Sequence, residues 1–141
     1  MAFIIKDPPE FTTNVTQWTR ETIADGVEMA KEIEKLINND VYLKAHVDRK
    51  EQAPIPVTLT AAGWTGSAAP YSQTAAAEGL TADDYPILVS QLADGATENT
   101  QKAYNKAFGI VAAGTGITGD GMVTFKVYKK PEIDIVVGLK L

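Results

Sequence analysis

The sequence predicts an α+β protein: an N-terminal helical stem followed by a small, mostly antiparallel β-sandwich or barrel-like domain with one helix. Three observations predict it. Composition changes sharply near Pro54, from helix-forming residues to Thr, Val, Gly and Ala. Apolar residues before that point recur at helical spacing. After it, short alternating runs are separated by turn residues. The expected units are 1–53, a stem, and 54–141, a β-rich head.

Thr12, Thr13, Asn14 and Thr16 are good N-cap types, so the first helix is expected to begin between Thr12 and Thr16. Trp18, Ile23, Val27, Ala30, Ile33 and Ile37 form its apolar stripe, with steps of four, three, three and four from Ile23. Glu28–Lys31 and Glu32–Lys35 are favourable pairs three residues apart on the other face. Asn38-Asn39-Asp40 reads as the stop. A stripe this short is marginal alone and must pack on something, either its own domain or copies around an oligomer axis. Val41 to Glu51 fits both strand alternation and a helical face, and is read as a second short helix or a continuation. Pro54 and Pro56 bracket Ile55 and make Gln52 to Pro56 a hinge.

Six strands and one helix are expected in the head. The strands are Pro56 to Thr60, Tyr71 to Ala77, Ile87 to Val89, Ile110 to Ile117, Met122 to Tyr128, and a final one from Ile133. The helix is Thr97 to Phe108, with Ala103, Tyr104, Ala107 and Phe108 on one face. Gly119-Asp120-Gly121 is a hairpin turn signal.

The chain has 141 residues, 45% hydrophobic and 22% charged, which are globular values. A net charge of −5 argues against nonspecific nucleic-acid binding, which needs a basic surface. No apolar run approaches the roughly 20 residues of a membrane span, so no membrane insertion is expected. The N-terminal apolar stretch is too short for a signal peptide.

Chemistry-bearing residues are few. There is no cysteine, and His46 is the sole histidine, so His/Cys metal clusters are excluded. His46 reads as a surface or packing residue. No G-x-S-x-G elbow is present. Asp83-Asp84 matches no calcium loop and reads as a solvated turn; a hydrolase built on Asp83, Asp84 and Glu78 is the weakest reading. Gly114-Thr115-Gly116 lacks the Lys-Ser/Thr and the helix of a phosphate loop. No enzyme activity, cofactor or metal is expected. Trp64, Tyr71 and Tyr85 fall in or beside loops and are the candidates for stacking on a sugar face, although a buried anchor is the better reading of Trp64.

Several pieces of the head occur together: Val57-Thr58-Leu59, Gly63-Trp64-Thr65-Gly66-Ser67, Pro70-Tyr71-Ser72-Gln73-Thr74, Glu78-Gly79-Leu80-Thr81-Ala82-Asp83-Asp84, Gly121 to Tyr128, and Lys130-Pro131-Glu132-Ile133-Asp134-Ile135. In this order they resemble a domain of structural proteins from bacteriophages and prophages of Gram-positive bacteria, over about residues 55–141. There the domain follows helical or fibrous segments in tail-fibre, minor structural and receptor-binding parts. This chain departs from that pattern by lacking a long shaft and by carrying Ala75-Ala76-Ala77 where a Val-rich strand is expected. The resemblance implies a virion structural protein of a tail fibre or baseplate, made in the bacterial cytoplasm. The helical stripe Ile23, Val27, Ala30, Ile33 and Ile37 is the expected oligomerisation surface, as a homotrimer, and the resemblance adds other phage structural proteins and a host-surface glycan as expected partners. A capsid fibre or decoration protein, and a carbohydrate-binding module, are the alternatives.

Overall fold

A computed structural model describes residues 2–21 and 25–141. The protein is α+β: an N-terminal helix precedes two small antiparallel sheets. The chain divides into two compact units, Met1–Glu51 and Gln52–Leu141.

In the first unit, an irregular segment leads to the helix α1 (Gly26–Glu51). The expected start at Thr12 to Thr16 is corrected, because those residues lie outside any helix and the cap is Asp25. Asp25 Oδ1 accepts the Val27 N–H at 2.7 Å, satisfying one of the orphan donors of the first turn. The expected stop at Asn38-Asn39-Asp40 is also corrected, since α1 runs through it and takes in Val41 to Glu51 as a continuation. Asparagine weakens a helix when its side chain competes for neighbouring backbone. Here Asn38 and Asn39 turn their amides onto a distant segment, and Asn38 also bonds the Glu34 carbonyl one turn back. Glu28 in the first turn and Arg49 and Lys50 in the last match the helix dipole.

The second unit contains β1 (Ile55–Leu59), β2 (Tyr71–Ala76), β3 (Ile87–Ser90), α2 (Glu98–Ala112), β4 (Thr115–Gly119), β5 (Met122–Val127) and β6 (Ile135–Lys140). One sheet has the order β1-β6-β3 and the other β2-β5-β4, all pairs antiparallel. Period-two alternation places Val57 and Leu59 of β1, Val123, Phe125 and Val127 of β5, and Ile135, Val137 and Leu139 of β6 in a shared core. Helix α2, capped by Thr97, adds Tyr104, Ala107 and Val111 to that core. The expected fourth strand is corrected at its start: Ile110 to Ala112 belong to α2, and the strand begins only at Thr115. Asp120 and Gly121 close the β4–β5 hairpin, with Gly121 at φ +70°, a conformation that favours glycine.

Tyr104 links the layers with a polar handle. Its hydroxyl donates to the Val136 carbonyl at 2.7 Å and accepts the Gln91 N–H at 2.8 Å. Gly138 of β6 leaves no room for a side chain: a Cβ there would meet Gln91 Nε2 at 2.5 Å, Val89 Cγ2 at 2.7 Å and Pro54 Cβ at 2.9 Å.

Candidate functional site

The N-terminal segment lies along α1 as a strap held by side chain-to-backbone hydrogen bonds. Asn38 binds it at two points, accepting the Lys6 N–H at 2.8 Å and donating to the Ile4 carbonyl at 2.9 Å. Asn39 both accepts the Thr12 N–H at 2.7 Å and donates to the Thr12 carbonyl at 2.8 Å. Glu32 accepts the N–H and the hydroxyl of Thr16, both at 2.9 Å. An asparagine amide matches a peptide edge donor for acceptor, so the Asn38 and Asn39 contacts bind backbone irrespective of strap side chains. Phe11 and Tyr42 add a tilted ring contact at 5.6 Å.

Glu32 is the electrostatic centre of the strap. Its carboxyl is pulled down to about 2, first by the hydrogen bond from Lys35 and then by the Thr16 N–H. Lys35 Nζ stands 2.7 Å from Glu32 Oε1. A carboxylate accepting several donors favours its charged form.

This fastening leaves large apolar side chains in the open. On the strap, Phe3, Ile4, Ile5, Phe11, Val15 and Trp18 are exposed. Trp18 is thus on an irregular segment, not on a helix as the sequence suggested. On α1, Val27, Met29, Ile33, Leu36, Leu43 and Val47 are exposed. Of the expected oligomerisation stripe, Val27 and Ile33 are exposed, Ala30 and Ile37 are half-buried, and Ile23 lies outside the described residues. Sequence reasoning missed the strap, whose contacts span up to 34 positions, and the exposure of Met29, Leu36, Leu43 and Val47. The spacing of those four residues was the available signal.

In the head, the three aromatic candidates separate. Trp64 is buried in the core at 4% exposure, so its face is closed to a ligand and that assignment is corrected. Tyr71 is half-buried, with Lys130 Nζ 4.6 Å from its ring centroid. Tyr85 is 94% exposed. It stands at a cleft of about 530 Å³ lined also by Leu88, Val111, Ile117, Phe125 and Leu139. On β4, Gly116 and Thr118 pair with Phe125 and Val123, and these small residues leave the cleft open.

No protein-family model, curated protein or solved structure matches the chain.

Of the remaining polar candidates, His46 and Asp84 are engaged in structure. His46 stacks on Tyr42 at 4.1 Å, with Nδ1 3.0 Å from the Tyr42 carbonyl oxygen. Asp84 accepts the Thr81 N–H at 2.7 Å and the Thr81 hydroxyl at 2.9 Å, closing the turn expected there. Gly114-Thr115-Gly116 leads from α2 into β4, so no helix N-terminus follows it. Among the described residues no group of three or more His, Cys, Asp or Glu is placed to hold a metal, and no helix is long and apolar enough to cross a membrane.

Proposed function

We propose that this chain is a bacteriophage virion structural protein, of a tail fibre or baseplate, that assembles with copies of itself through the first unit and presents the β-rich head. The observation that carries the reading is the large set of exposed apolar side chains on the strap and on α1, in a unit whose buried described residues are Glu32 and Asn38. Large apolar side chains exposed in this number mark an interaction surface where they gather on one face, as those of α1 do at helical spacing. The order of head motifs from Val57 to Ile135 supports the phage setting. The head would then be a contact surface, docking on another virion component or on the host. Mass spectrometry of gradient-purified particles tests this: the chain is expected as a stoichiometric component, and its consistent absence from particles would sink the proposal.

A second reading, host-glycan recognition, is favoured by one observation: Tyr85 is almost fully exposed beside an open cleft. Multivalent display on an oligomer would amplify a weak site. Binding to host cells that is unchanged in Tyr85→Ala would remove it.

A further inference from the structure

We infer that Met29, Ile33, Leu36, Leu43 and Val47 form the seam of a parallel two-stranded coiled coil between copies of this chain, with Asp40 as its one charged layer. The inference rests on the self-assembly reading above and names the face and the partner.

The seam differs from the stripe that the sequence suggested. From Met29 the positions 29, 33, 36, 40, 43 and 47 advance by four, three, four, three and four. That is a heptad repeat, whereas the run from Val27 through Ala30, Ile33 and Ile37 drifts around the helix. Met29, Ile33, Leu36, Leu43 and Val47 are each exposed by between 38% and 53%. About half of each of these side chains stays open, because among the described residues the strap is fastened away from this face. Its anchors Glu32, Asn38 and Asn39 lie on the flank and outer face of α1.

The spacing itself points to the occupant. Knobs alternating at three and four residues fit holes of a helix with the same alternation, and this chain supplies one. Ile33 and Val47 occupy the first heptad position with Asp40, and Met29, Leu36 and Leu43 occupy the fourth. β-Branched residues at the first position and Leu at the fourth favour two parallel strands, which departs from the homotrimer expected earlier. Asp40 favours the same choice: in a two-stranded coil the first position borders solvent, and a carboxylate there avoids most of the desolvation cost of a closed three-stranded layer. The flanking positions are compatible with parallel alignment. Glu32 of one copy falls beside Ile37 of the next, Asn39 beside Lys44, and His46 beside Glu51, with no like-charge pair among them. In register the two Asp40 carboxylates meet across the seam as a like-charge layer, which weakens the pair and leaves Met29, Ile33, Leu36, Leu43 and Val47 to hold it.

The full chain tests this without a background of thiols, since it has no cysteine. Val47→Cys is expected to form an intermolecular disulfide under mild oxidation, and Lys31→Cys, on the outer face, is not. Sedimentation equilibrium is expected to show a dimer for the native chain and a monomer for Leu36→Asp combined with Leu43→Asp. Should the dimer survive the double substitution and Val47→Cys fail to cross-link, this seam is wrong while self-assembly stands. A trimeric mass would overturn the two-stranded assignment. A native chain that sediments as a monomer would remove both the seam and the self-assembly reading.

Discussion

The head and the stem are held together by different forces. In the head, 14 hydrophobic residues are buried, among them Val57, Val127 and Val137 at 0% exposure. In the first unit, the buried described residues are Glu32 and Asn38, both polar. A buried Leu or Val contributes ~1.5–3 kcal/mol by leaving water, and a typical hydrogen bond a net ~0.5–1.5 kcal/mol. The head thus carries its own apolar core. The stem carries a strap tied on by polar groups and leaves its apolar groups facing water. That contrast is what the proposed self-assembly would resolve, with a second copy supplying the burial that the first unit lacks.

The sharpest way to break this contrast is to weaken each side in turn. Phe125→Ala removes a core ring from the head and is expected to cost about 3–5 kcal/mol in chemical denaturation. Leu36→Ala, on an exposed face of α1, is expected to leave the head's unfolding midpoint within about 0.5 kcal/mol of native. If Leu36→Ala destabilised the head as much as Phe125→Ala, the two units would not be independently held.

A smaller effect is expected from Tyr104→Phe. It keeps the ring but leaves the Val136 carbonyl and the Gln91 N–H without the hydroxyl they share. The expected cost is about 1–3 kcal/mol in the same assay, confined to the head. A neutral result would show that the hydroxyl does not join α2 to β6 energetically.

An insertion at Gly138 probes close packing instead of polar linkage. Gly138→Ala places a methyl group against Val89 and Pro54, and is expected to destabilise the head by about 1–3 kcal/mol.

The smallest effect is on the strap, and it depends on pH. Glu32 is lowered from 4.5 to about 2 in the folded chain. Its contribution is therefore complete above about 4.5 and is lost as pH falls from there through about 2. The protection factor of the Thr16 N–H, its exchange relative to the free-peptide rate at the same pH, is expected to fall over that acid window while the head's core amides stay protected. Glu32→Gln should remove the pH dependence. An equal Thr16 protection factor at pH 6 and pH 3 in the native chain would show that Glu32 does not hold the strap.

What could be read from the residues was what local periodicity encodes. Alternation in Met122 to Val127 and Ile135 to Leu139 marked the two core strands, because successive side chains of a strand point to opposite faces. The glycine of Asp120-Gly121 marked the hairpin, and the prolines at 54 and 56 marked the end of α1. On the candidate assembly surface, Ile33 and Val27 were legible as apolar helix positions. Three features depended on contacts between distant residues. Thr12 to Thr16 have the chemistry of helix caps, yet Asn39 and Glu32 capture Thr12 and Thr16 as strap anchors, so the helix begins at Gly26. Asn38 and Asn39 have the chemistry of a helix stop, yet the strap satisfies their amides and the helix continues to Glu51. Trp64, equally suited to a core or a sugar platform, is buried by the packing of the head. Local backbone preference acts over a few residues, whereas a polar side chain binds whichever partner the fold brings near, and that choice is made only when the chain has closed on itself.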